Sequence, residues 1–93
     1  MQVRPNRTTV EGLVETVSAA ADGVGAEVVI RVDRNLSVAA DDFIRPTVGG
    51  RLTAFTGDSK ACGTGTGYRF RLRLNAGPGG QRVVVEAADP LPT

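Results

Sequence analysis

From Tyr68 to Leu74 the chain alternates without a break: Tyr68, Phe70, Leu72 and Leu74 share one parity, and Arg69, Arg71 and Arg73 share the other. A strand sends successive side chains to opposite faces, whereas a helix would scatter both sets around its axis. The segment therefore predicts a β-strand with an apolar face turned inward and a guanidinium face turned outward. Residues 75–80, Asn-Ala-Gly-Pro-Gly-Gly, read as a loop, and residues 81–87 read as the returning strand of an antiparallel hairpin. In that strand Val84 points away from the face of Val83 and Val85, and its place between Arg82 and Glu86 calls for cover by another surface.

Three further segments carry strand signals. Residues 27–32 place Val28, Ile30 and Val32 on one face, after a turn signal at residues 22–25. Residues 51–56 set Leu52, Ala54 and Thr56 opposite Thr53 and Phe55. The segment following Thr8 is open to two readings. Val10, Leu13, Val14 and Val17 fall at helical spacing behind a capping-box pattern, Thr8-Thr9-Val10-Glu11, with Gly23 as a C-cap. Gly12 and the β-branched Val10, Val14, Thr16 and Val17 disfavour that helix and suit a strand bulged at Gly12, which is the reading adopted. Residues 39–44 read as one helical turn or a loop ended by Pro46. Residues 1–7 read as a peripheral arm, and residues 89–93 as a peripheral tail whose prolines keep it out of the sheet.

The 93 residues thus read as a single all-β domain, a small antiparallel five-stranded barrel or highly twisted sheet with at most one short helical segment. Val10-Glu11-Gly12-Leu13-Val14 followed by Val48-Gly49-Gly50-Arg51-Leu52 resembles the strand signatures of OB-type barrels over about ten residues. The resemblance extends to the fold and to no functional residue.

Composition limits the chemistry. The chain has no histidine and one cysteine, Cys62. It therefore lacks the usual near-neutral general base, any Ser-His or Cys-His pair, a zinc ligand set and an internal disulfide. Paired carboxylates need a deep cleft for which a chain of this length has little room. The expectation is a protein that is not an enzyme and holds no cofactor or metal. Cys62 reads as a small residue at a strand or loop edge. Asp41-Asp42 reads as a solvated turn, because a hard cation needs more oxygens than this segment offers. Residues 62–67, Cys-Gly-Thr-Gly-Thr-Gly, precede a strand, so they lack the helix that a phosphate-cradling loop must open. The N-terminal residues have no apolar run of a signal peptide, which points to the cytoplasm. Arginine-rich, alanine- and valine-rich usage is what a GC-rich bacterial genome produces.

Net charge is +1, yet residues 1–48 hold five arginines against seven acids while residues 49–93 hold five arginines and Lys60 against three. A basic face must therefore come from the second half. Arg69, Arg71 and Arg73 stand about 6.6–6.8 Å apart along a strand, near the phosphate repeat of an extended nucleic acid, and Arg82 on the partner strand widens the patch. Glu86 and Glu27 are the acids placed to pair with these arginines across strands. Two functions follow. The first is a noncatalytic interaction module that assembles with a protein partner or a second copy through open sheet edges. The alternative is single-stranded nucleic-acid binding through Arg69, Arg71, Arg73 and Arg82.

Overall fold

A computed structural model of the protein describes residues 6–21, 23–77 and 79–92. Five strands follow one another: β1 (Thr8–Ala19), β2 (Ala26–Asn35), β3 (Arg51–Thr56), β4 (Gly67–Gly77) and β5 (Gly80–Pro90). They close into a barrel in the order β1-β2-β3-β5-β4, with β4 pairing back onto β1. All neighbours run antiparallel except β3 and β5, which run parallel and meet at Phe55 and Val84. This is an OB-like all-β barrel. Among the described residues there is no helix, and so none long and apolar enough to cross a membrane.

The segment with two readings, β1, is a strand, and its bulges explain its helical look. Glu11 lies opposite Arg34 and Gly12 opposite Val32, which leaves Asp33 as an extra residue in β2. Further on, Val14 faces Ile30 and Thr16 faces Val29, so Glu15 is the extra residue in β1. The second bulge reverses the inward parity of β1. Val10 and Val14 are fully buried, and Val17, three positions on, packs against the same core. A bulged strand has thereby reproduced the i, i+3 spacing of a helix face.

The core is filled by Val10, Val14, Val28, Ile30, Val32, Ala54, Phe70 and Leu72, with Cys62 and Tyr68 at its margin. Tyr68 tilts against Phe70 with ring centroids 5.4 Å apart. Its hydroxyl accepts a hydrogen bond from the Gly63 amide at 2.8 Å. The loop of residues 57–66 is tied to β1 as well, because Val14 N donates to Thr66 O at 3.0 Å and Gly65 N to Val14 O at 2.8 Å. Alternation in β4 is as its sequence requires, with Tyr68, Phe70 and Leu72 buried and Arg69, Arg71 and Arg73 exposed. In β5, Val83 and Val85 pack on the core, while Val84 turns outward and is half-buried beside β3.

Two sequence expectations are corrected. Residues 75–80 are not a loop: β4 runs to Gly77, β5 starts at Gly80 opposite it, and two residues connect them. Of that connection Pro78 lies outside the described residues. The tail from Asp89 also joins the sheet, since Asp89 faces Arg69, Pro90 faces Tyr68, and Leu91 N donates to Gly67 O at 3.0 Å. Successive residues of a strand turn their amides to opposite sides, so with Leu91 bonded to β4 the ring nitrogen of Pro90 faces away from it. Residues 1–5 of the expected arm, Thr93 of the expected tail and Asp22 of the turn signal are outside the described residues.

Residues 36–50 link β2 to β3 without a helical turn; backbone bonds from Leu36 N to Thr9 O and from Gly49 N to Val32 O tie their ends to the barrel, and one carboxylate holds their middle. The expected solvated turn at Asp41-Asp42 is also corrected, because Asp42 is buried. Its Oδ1 accepts from Thr8 Oγ1 at 2.7 Å, Arg45 N at 2.8 Å and Ile44 N at 3.2 Å, and Oδ2 accepts from Asn35 Nδ2 at 3.0 Å. Burial by itself raises the pKa of Asp42. The bonds from Asn35, Thr8, Arg45 and Ile44 together outweigh it and hold the carboxyl below its ordinary value.

A lowered folded-state pKa stabilises the fold above the unfolded value of about 3.9 and ceases to do so as pH falls through the folded value. Asp42→Asn is therefore expected to lower stability by about 2–3 kcal/mol at neutral pH, as buried donors lose their ionised acceptor. Denaturant midpoints of the two proteins should converge as pH drops below about 4; a constant gap would show that ionised Asp42 is not the anchor. In the core, Phe70→Ala should cost about 3–5 kcal/mol. Arg71→Ala, one position along on the outer face, should cost about 0.5 kcal/mol or less in the same denaturation experiment.

Candidate functional site

The outer face of β1, β4 and β5 is ruled by strand register. One lateral row runs Arg34, Glu11, Arg69, Asp89 across β2, β1, β4 and β5, and the next runs Thr9, Arg71, Ala87. A third places Arg73 opposite Val84, with Arg82 one outward position away on β5. The four arginines singled out in the sequence do share this outer surface, but they are not equivalent.

Arg69 is committed. Its Nη2 lies 2.8 Å and its Nε 3.2 Å from Glu11 Oε2, while Arg34 Nη1 reaches Glu11 Oε1 at 3.3 Å. The Glu11 side chain is 11% exposed, so this shared carboxylate works in a partly desolvated setting where the pairing is screened less than at an open surface. The acids expected to meet the stripe, Glu86 and Glu27, make no ion pair among the described residues. Glu11 takes that role because β1, not β3, lies beside β4, an adjacency that only barrel closure creates.

Arg71, Arg73 and Arg82 have no carboxylate partner among the described residues, and neither has Arg7 just before β1. Arg7, missed in the sequence, lines with Thr9, Arg69, Arg71, Ala87 and Asp89 a concavity of about 190 Å³. Its approach to β4 follows from the pairing of Thr9 with Arg71, and the neighbouring Asn6 is locked to the same strand. Asn6 Nδ2 donates to Leu74 O at 2.6 Å and Leu74 N donates to Asn6 Oδ1 at 3.1 Å, so a side-chain amide continues the ladder past the end of β1. On strands β2 and β3, by contrast, arginines are matched: Arg31 pairs with Asp33 and Arg51 with Glu15, and only Arg45 in the connection between them has no carboxylate partner among the described residues.

Arg82 has another contact. Its guanidinium carbon lies 4.7 Å from the centroid of Phe55, a cation–π geometry. Phe55 is half-buried on the outer face of β3 and stands outside the core cluster. The alternation of residues 51–56 already set it opposite Leu52, Ala54 and Thr56, which was the available signal for an outward aromatic. Together with Ala20, Ala21, Glu27 and Arg82 it lines a concavity of about 350 Å³.

The described residues hold no group of three or more Cys, Asp or Glu side chains placed for a metal ion. Cys62 is buried at the core margin. Burial, and secondarily the Asp58 carboxylate, raise its pKa, which keeps the thiol protonated and unreactive at neutral pH. A wider concavity of about 610 Å³ opens beside Ala39, Ala40, Asp42, Phe43 and Arg45, but every hydrogen bond of Asp42 there is turned inward to the fold.

No protein-family model, curated protein or solved structure matches the chain.

The thiol makes a direct test of this geometry. Reaction of Cys62 with a chromogenic disulfide at pH 8 should run about 100-fold or more slower in the folded protein than in denaturant, because modification requires local opening. Equal rates would place the thiol at the surface.

Proposed function

We propose that this barrel is a noncatalytic binding module that carries the backbone of a single-stranded nucleic acid along the outer face of β1, β4 and β5. One observation carries the reading: Arg7, Arg71, Arg73 and Arg82 gather on adjoining positions without a carboxylate partner among the described residues, whereas the arginines on strands β2 and β3 are matched by acids and only Arg45, in the connection between those strands, is not. Unpaired guanidinium groups attract phosphates, and the counterions released on binding supply most of the affinity. Arg71 and Arg73, two positions apart on one strand, would meet successive phosphates, and Arg7 would widen the track. Such contacts fix position and carry no sequence information. A single thiol suits a reducing compartment, so we take the cytoplasm as the setting.

A second reading, assembly with a protein partner or a second copy, draws support from a different surface. Leu36, Val38, Phe43 and Val48 of the β2–β3 connection are 38–66% exposed, a group of apolar side chains on one segment. Pairing through open sheet edges has less support, because the strands close on one another. Light scattering across a concentration series tests this reading and returns the monomer mass if it is wrong.

The backbone track is tested by fluorescence anisotropy with a labelled oligonucleotide across a salt series. Wild-type protein should bind at micromolar concentration in low salt. Arg71→Ala with Arg73→Ala should flatten the log K against log salt slope by about 1.4, or 0.7 per lost contact. Glu11→Gln works in the opposite direction: releasing Arg69 from its carboxylate should steepen the slope by about 0.7. Wild-type affinity of only about 10⁻⁴ M at low salt, or slopes that ignore these variants while circular dichroism reports an intact fold, would sink the reading.

A further inference from the structure

Phe55 is an aromatic side chain on the outside of a barrel whose other described aromatic strand residues, Tyr68 and Phe70, are buried. Strand register sets what surrounds it. A single lateral row runs Glu27 on β2, Phe55 on β3, Val84 on β5 and Arg73 on β4. Neighbouring strands lie about 4.8 Å apart, so Arg73 stands about 10 Å from Phe55 on the same outward surface. The ring is also fixed from its other side. A Cβ on Gly25 would sit 2.7 Å from Phe55 Cζ and 2.5 Å from Thr56 O, so only glycine lets the β1–β2 connection close against the ring. The ring therefore has a held edge and carries the Arg82 guanidinium over one face.

We infer that the concavity of Ala20, Ala21, Glu27, Phe55 and Arg82 seats one nucleobase, stacked on Phe55, and that Glu27 selects a base bearing an exocyclic amino group. The inference rests on the backbone track proposed above and deepens it. A base is a flat π system that can take the place of the planar guanidinium on the ring face. Arg82, which has no carboxylate partner among the described residues, then becomes available to a phosphate beside Arg73. Glu27, exposed and directly opposite Phe55, makes no ion pair among the described residues. An ionised carboxylate only accepts hydrogen bonds. It suits the amino group of cytosine or adenine and repels the carbonyl that thymine or uracil presents at the same place.

Cytosine and thymine stack on a similar ring and differ at that edge, so oligonucleotides of all-cytosine and all-thymine sequence make the clean comparison. By anisotropy the cytosine strand should bind about 10-fold tighter. Phe55→Leu should weaken both strands about 10-fold, as loss of one stacked base does. Glu27→Gln should erase the preference without weakening the thymine strand, and as a surface change it carries the test even if Phe55→Leu unfolds. A third arm uses cytidine, which has no phosphate, and follows the backbone amide resonances of Glu27 and Phe55. Salt-dependent binding with no cytosine preference and no effect of Phe55→Leu would overturn the seat and leave the track standing. Cytidine shifts at Phe55 without oligonucleotide binding would support the seat and overturn the track. Neither signal would remove both.

Discussion

β1 serves two neighbours, and the barrel depends on that double duty. It pairs along its length with β2, and from Thr8 to Leu13 with β4 as well. For both to fit, β2 must cross β1 at very close range. It does so at Gly12, where an added Cβ would lie 2.4 Å from Arg31 O and 2.8 Å from Ile30 Cγ2. No flexible side chain could yield there, because the nearest obstacle is backbone. The bulges at Asp33 and Glu15 flank this crossing and supply the bend that brings the sheet round onto itself. With strands closed in this way, most strand amides are spent within the barrel, the β3–β5 seam, paired at Phe55 and Val84 alone, being the thinnest part, and recognition falls largely to outward side chains.

Closure also decides which charges meet. Glu11 and Arg69 are 58 positions apart in the chain, yet they become cross-strand neighbours because β1 and β4 seal the barrel. The same carboxylate holds Arg34 of β2, so one partly desolvated acid neutralises the middle of an arginine-rich surface and ties three strands together. Acids are concentrated in the first half of the chain and arginines in the second half outnumber them. Folding does not average this imbalance away. It leaves matched pairs on the β2–β3 side and unmatched guanidinium groups along β4 and β5.

How much of this could be read in advance depended on the reach of the interactions. Alternation is a local property, so Tyr68 to Leu74, Val28 to Val32 and Leu52 to Thr56 showed their inward faces in the sequence. The five strands and the barrel class followed from that. Val10 to Val17 was ambiguous because a bulge at Glu15 changed its parity, and a bulge reveals itself only against the partner strand. Residues 75–77 and Asp89–Pro90 have weak strand propensity and were drawn into the sheet by their neighbours across the hairpin and by the freedom of Pro90 to face away from β4. Of the site, Arg69, Arg71, Arg73 and Arg82 were legible as outward residues. The capture of Arg69 by Glu11 was not, nor was the approach of Arg7, since both depend on which strand closes the barrel.

Asp42 joins residues 36–50 to the barrel through Thr8 on β1 and Asn35 at the end of β2, and it holds the Ile44 and Arg45 amides in the same grasp. The segment is fastened again at its far end, where Gly49 N donates to Val32 O at 2.7 Å and Val32 N donates to Gly50 O at 2.9 Å, and between these fastenings Phe43, Thr47 and Val48 are exposed. Such an arrangement uncouples the outer part of the connection from the fold. Residues 46–48 can lengthen, shorten or change character while the clasp at Thr8, Asn35 and Asp42 and the bond from Gly49 to Val32 stay intact, because added loop length costs little entropy. This makes the β2–β3 connection the natural graft point of the molecule: a place where a new recognition sequence could be spliced in while the arginine face and its barrel remain as they are.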